Sequence, residues 1–113
     1  MSPKDFGKHL AATYGEGIYV DLHTGSRPGS FVVLDNLFIP KEQRGQGVGR
    51  AIMADLIAEA DRQGWRLALT PDDVYGSSKT RLLTFYRDFG FVPNRGLTRD
   101  FETTQTMLRH PKR

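Results

Sequence analysis

The chain has 113 residues, enough for one domain and no second. With 38% apolar and 26% charged residues and no cysteine, its composition is that of an ordinary soluble domain. That excludes disordered and fibrous classes, disulfides, thiolate metal sites and cysteine nucleophiles. The net charge of +3 gathers late: residues 71–113 carry eight basic and five acidic groups, against three and four in residues 1–40. A solvated mixed surface and a region for an anionic ligand both fit that pattern, and +3 does not imply nucleic acid. Met1–Leu10 holds Lys4, Asp5 and Lys8 where a signal sequence needs its apolar core. No apolar run approaches the ~20 residues of a membrane span, so a cytoplasmic protein without membrane contact is expected.

In chain order, Ser2 precedes a short helix over Pro3–Tyr14, with Phe6, Leu10 and Ala11 at roughly helical spacing. Ile18–His23 alternates Ile18, Val20 and Leu22 with Tyr19, Asp21 and His23, which predicts a strand with one buried face. A turn follows at residues 25–29. Phe31–Ile39, apolar and ended by Pro40, reads as a central strand. Val48, Ile52, Leu56 and Ala60 then form a stripe that stops at Gly64, the strongest helical signal in the chain. Trp65–Leu69 predicts another strand, and Ser77 or Ser78 caps a helix over Lys79–Phe89. Phe91-Val92 and Phe101–Arg109 supply the last strands, and Trp65, Phe31 and Phe91 are read as core. A strand–helix–strand crossover among hairpin-linked strands predicts an α/β (α+β) domain: a mixed, mostly antiparallel sheet flanked by helices.

The stretch that carries chemistry is Arg44-Gly45-Gln46-Gly47-Val48-Gly49-Arg50, between that central strand and the strongest helix. Three alternate glycines let backbone approach a ligand, and the helix N-terminus adds partial positive charge, so an anion suits the loop; a plain glycine turn is the alternative. The spacing fits neither a Walker loop nor a dinucleotide fingerprint.

The loop resembles motif A of the GNAT acyltransferase superfamily, carried here by Arg44, Gly47 and Gly49 after Leu37-Phe38-Ile39-Pro40. Phe85-Tyr86-Arg87-Asp88-Phe89-Gly90-Phe91 is similar to that family's aromatic helix signature, and Thr106-Met107-Leu108-Arg109 to its closing strand. The resemblance runs from about Ile18 to Pro111, and Asp73–Phe91 looks most like compact members found in phages and mobile elements. It implies a GNAT-like sheet with a reduced N-terminal part. It also implies acetyl-CoA as co-substrate, its pyrophosphate on the backbone of Gly45–Arg50 (Gly45, Gln46, Gly47, Val48, Gly49, Arg50) and its pantetheine arm along Leu37, Phe38 and Ile39. The implied reaction is direct N-acetylation of a primary amine on a small molecule or protein by a monomer or homodimer, with no metal. Two positions depart from the family pattern, Lys79 where asparagine is common and Leu82 where a small residue is usual; Ser78 is the candidate for the missing polar contact. A non-catalytic module binding CoA or a partner on the same fold is the alternative reading.

Tyr86 matches the family's general acid, although a core aromatic on the same helix face fits equally with its spacing. Asp35, in an apolar strand and on one face with Leu37 and Ile39, is either a general base with a burial-raised pKa or a carboxylate at a bulge or beside an arginine. Asp73 is the second candidate base. His9, His23 and His110 lack metal-ligand spacing. Arg95, Arg99, Arg109 and the tail read as a basic, solvated edge.

Overall fold

The computed structural model describes residues 1–71 and 78–112. Eight regular elements follow the expected order: α1 (Pro3–Tyr14), β1 (Tyr19–Thr24), β2 (Val32–Phe38), α2 (Val48–Gln63), β3 (Leu67–Leu69), α3 (Lys79–Asp88), β4 (Val92–Pro93) and β5 (Met107–Arg109). The five strands form one sheet in the order β1-β2-β3-β5-β4, in which only the β2–β3 pair is parallel. That parallel pair is joined through α2, as the crossover pattern requires.

Alternation along the strands divides the apolar residues between two faces. Val20, Leu22, Val32, Leu34, Leu67, Leu69 and Met107 face the main core, which is closed by Phe6 and Leu10 of α1, by Ile52, Met53, Leu56 and Ala60 of α2, and by Phe91. A smaller cluster, Phe31, Val33, Ala68 and Leu108, lies on the opposite face. α1 and α3 have the starts their sequences prescribe. The Ser2 hydroxyl accepts from the Asp5 N–H at 3.2 Å with Pro3 in the first turn, and the Ser78 hydroxyl accepts from the Arg81 N–H at 3.1 Å. Gly64, at φ 75°, ends α2 as a left-handed cap.

α1 approaches β1 at Gly7, where an added Cβ would stand 2.4 Å from the Val20 carbonyl oxygen. Backbone cannot yield there as a flexible side chain can. Gly7→Ala is expected to destabilise the fold by about 1–3 kcal/mol, the usual cost of overpacking, read as a lower urea midpoint.

Three features depart from the sequence reading. Strand pairing near the C-terminus is confined to Met107–Arg109, because residues 94–106 fold as a loop around Asn94. The Asn94 side chain donates to the carbonyls of Asp100 and Gln105 and accepts from the Asp100 N–H at 2.7 Å, so this stretch satisfies its backbone without a strand partner. Arg109 is 3% exposed and does not belong to a solvated edge. Its guanidinium grips Asp61 of α2 through two hydrogen bonds of 2.8 and 3.1 Å, and its Nε donates to the Phe89 carbonyl at 2.9 Å. The third departure is a β-bulge. Asp21 pairs with Asn36 while Leu22 pairs with Leu34, which leaves Asp35 as an extra residue in β2.

Candidate active site

The bulge lies where β2 leaves its parallel neighbour. β3 pairs with β2 only from Val32 to Leu34, because β3 ends at Leu69 while β2 runs on to Phe38. One extra residue reverses the alternation. Leu37 therefore packs on the main core with Leu34, while Asp35 meets His23, whose register partner Val33 belongs to the opposite cluster. Asp35 thus does not share a face with Leu37. Nor is it buried: its side chain is 48% exposed, and its Oδ2 pairs with His23 Nδ1 rather than with an arginine. The burial expected of it is absent. A β-bulge with a paired carboxylate, the structural alternative read from the sequence, describes its setting.

After β2 the chain turns through a short 3₁₀ segment, Lys41–Gln43, and the glycine loop into α2. Gly45 and Gly47 have φ of 77° and 81°, a region that side chains other than glycine rarely adopt, and an added Cβ at either would meet nothing within 4 Å. The loop is thus both left-handed and open to solvent on its outer side. The first backbone bond of α2 runs from the Ala51 N–H to the Gly47 carbonyl at 3.0 Å. The N–H groups of Val48, Gly49 and Arg50 precede the ladder and have no acceptor within the helix, which makes this end of α2 a cradle for negative charge. Gly49 serves packing as well, since an added Cβ would press on Ile39 at 3.2 Å.

These parts border one cleft of about 680 Å³, lined by Asp35, Leu37 and Ile39 of the β2 segment, by Arg44, Gly45, Gly47, Val48, Gly49 and Arg50 of the loop, and by Tyr86 of α3. Of the residues singled out in the sequence, Phe38, Gln46 and Ser78 lie outside that lining. The Gln46 side chain is turned back to the Glu42 carbonyl, and Ser78 serves as the α3 cap. Asp73 lies outside the described residues. Leu34, Asn36, Gln43, Leu69, Thr70, Arg81, Leu82 and Phe85 complete the wall. Phe85 and Leu82 stood in the helix signature, whereas Asn36, Gln43, Thr70 and Arg81 carry no local motif and only the fold brings them to the cleft.

The two arginines of the loop are already engaged. Arg44 Nε donates to the Ile39 carbonyl at 2.8 Å and lies over the Phe38 ring, which ties the loop to the end of β2. Arg50 pairs with Asp88 at 3.0 Å and stacks on Phe85 and Phe89, linking the α2 N-terminus to α3. Tyr86 sits in that aromatic group, edge-on to Phe85 at 5.2 Å and to Phe91 at 5.9 Å. Its hydroxyl has no hydrogen-bond partner among the described residues, and burial pushes the phenol pKa above its ordinary value. The group is therefore held protonated at neutral pH, with its donor capacity unspent.

The sequence profile of the acetyltransferase (GNAT) domain matches residues 6–93, and the chain belongs to that family. The matched span takes in the cleft but stops short of β5, which the structure nonetheless places between β3 and β4. No curated protein matches the chain. Among solved structures, a mutant of the AtaT toxin bound to the C-terminus of the antitoxin AtaR is similar at 18% identity and a TM-score of 0.53, covering 82% of this chain and 57% of that one. The AtaT–AtaR complex bound to DNA is similar at 20% identity and a TM-score of 0.50, covering 80% and 56%. The match to each spans little more than half of that structure's chain, and at these identities the likeness is one of fold.

Proposed function

We propose that the chain is one acetyltransferase domain that moves the acetyl group of acetyl-CoA directly to a primary amine. One observation carries the reading: a left-handed glycine loop on a helix N-terminus, a stretch of β2 beyond its pairing with β3 and a tyrosine hydroxyl with no partner among the described residues all border the same cleft. The cradle at Gly45–Arg50 suits a pyrophosphate, which needs N–H donors and close backbone approach more than side-chain charge. The β3-facing edge of Leu37–Ile39 suits the amide-bearing pantetheine arm, which can lie along the strand as an added one. Transfer is direct in a ternary complex, with no cysteine available for a thioester intermediate. Asp35 takes a proton from the incoming ammonium, the amine attacks the thioester carbon, and the Tyr86 hydroxyl donates to the departing thiolate.

Labelled acetyl-CoA offered with spermidine, poly-L-lysine and a peptide with a free N-terminus tests the reading, and label in at least one amine is expected. Gly47→Val should abolish acetyl-CoA binding in calorimetry while the circular dichroism spectrum is kept, because valine resists φ of 81° and crowds the cradle. Undiminished binding by Gly47→Val would reduce the loop to a turn.

A second reading, a module that binds a protein partner, is favoured by residues 94–106. That loop is fastened by Asn94 and by Arg66, which pairs with Glu102 at 2.8 Å. It nevertheless turns Leu97 and Phe101 outward at 107% and 84% exposure, with the Arg99 guanidinium over the Phe101 ring. In the two solved complexes a toxin of similar fold is bound to an antitoxin, which supports a protein partner for this fold. Acetyl transfer that survives Phe101→Ser would separate the two functions.

A further inference from the structure

Resting on the reading of Asp35 as the proton acceptor, we infer that His23 is a proton-relay residue that carries the proton from Asp35 to solvent. Asp35 has two oxygens with different surroundings. Oδ2 is bonded to His23 Nδ1, whereas Oδ1 has no hydrogen-bond partner among the described residues and Asp35 lines the cleft. The bulge leaves Asp35 without a register partner on β1, on the Val33 face of β2 and within reach of His23. His23 is outside the lining of the cleft and 58% exposed, so the pair spans from the reacting space to bulk water. With Nδ1 on the carboxylate, Nε2 is the end of the imidazole left to exchange with solvent.

The proton count requires such an exit. An ammonium carries three protons on nitrogen and the product amide keeps one. Of the two lost, one ends on the sulfur of CoA and one leaves the protein in every turnover. Tyr86 supplies the sulfur proton and recovers its own from the nitrogen of the tetrahedral intermediate. Asp35 takes the first ammonium proton on Oδ1 and must give it up before the next cycle; rotation of the carboxyl carries that O–H to His23 Nδ1. His23 accepts it at Nδ1 and releases its Nε2 proton to water, so no net charge accumulates in the cleft. The other titratable groups on this face are Tyr19 and Asp21 on β1 and Arg66 and His110 around Phe31, and none of them contacts His23 among the described residues.

The test uses the full chain with acetyl-CoA and whichever of spermidine, poly-L-lysine or the free peptide accepts label. His23→Gln should lower kcat about tenfold or more, within the ordinary range for lost proton transfer, with an unchanged KM for acetyl-CoA and an unchanged melting temperature. Free imidazole should restore turnover to His23→Ala and leave the parent unaffected, which no structural role would produce. If His23→Gln matches the parent in kcat while Asp35→Asn is inactive, the relay is overturned and the base stands. If Asp35→Asn is as active as the parent, or the parent transfers to none of the amines, the relay falls together with the reading beneath it.

Discussion

Tyr86→Phe is expected to leave acetyl-CoA affinity and melting temperature close to those of the parent while turnover falls roughly 10²-fold or more, the scale for losing a general acid. The ring contacts to Phe85 and Phe91 survive the substitution, and among the described residues no hydrogen-bond partner of the hydroxyl is orphaned by it. The raised phenol pKa fixes the sign of a second effect. Because the folded value lies above the unfolded one, the contribution of this group to stability is complete below the unfolded pKa and is lost as pH rises through the folded value. Tyr86→Phe should therefore flatten the alkaline limb of stability above about pH 10. Paired measurement of melting temperature and steady-state transfer on one preparation separates the roles, and a folded variant with full turnover would leave Tyr86 a core aromatic.

The largest stability effect is expected from Asp61→Ala. It would strand the buried Arg109 guanidinium with the Phe89 carbonyl as its remaining partner. Breaking a buried pair in this way costs about 3–5 kcal/mol, a large part of the stability of a domain of this size. The Arg109 hydrogen bonds, assisted by the Lys112 N–H at 2.9 Å, hold the Asp61 carboxyl below the usual carboxylate range. A lowered folded pKa gives stability that is complete above the unfolded value and is lost as pH falls through the folded one. Asp61→Asn should therefore remove part of the acid-induced loss seen in urea midpoints below about pH 4. Arg109 also anchors the end of α3 through Phe89, so loosening it should reach Tyr86 as well as the global midpoint. An unchanged urea midpoint in Asp61→Ala would show that the pair contributes nothing.

The sequence made the elements legible because their signals are local. The Val48–Ala60 stripe with Gly64 behind it, the alternation of Val20 and Leu22, and the serine caps each lie within a few residues of what they specify. The glycine loop was legible for the same reason, since positive φ at Gly45 and Gly47 is a property of single residues. The setting of Asp35 was not. A bulge is one residue of slippage between two strands, and nothing within Phe31–Ile39 records where β1 omits its counterpart. His23 looked like an exposed strand residue from its own neighbourhood, and its partner is 12 positions away. Arg109 and Asp61 lie 48 residues apart, so a tail arginine that is buried and paired has the same local sequence as one that is solvated. Residues 101–106 have strand-forming composition, yet the Asn94 side chain captures their backbone first.

The cleft stands or falls on acetyl-CoA. A native mass spectrum of the full chain equilibrated with millimolar acetyl-CoA tests this most directly, with Gly47→Val measured alongside. One equivalent of bound acetyl-CoA on the parent and none on Gly47→Val is the predicted result. A parent spectrum that shows only the bare chain at that concentration would contradict the assignment of the Gly45–Arg50 cradle and of the reaction built on it.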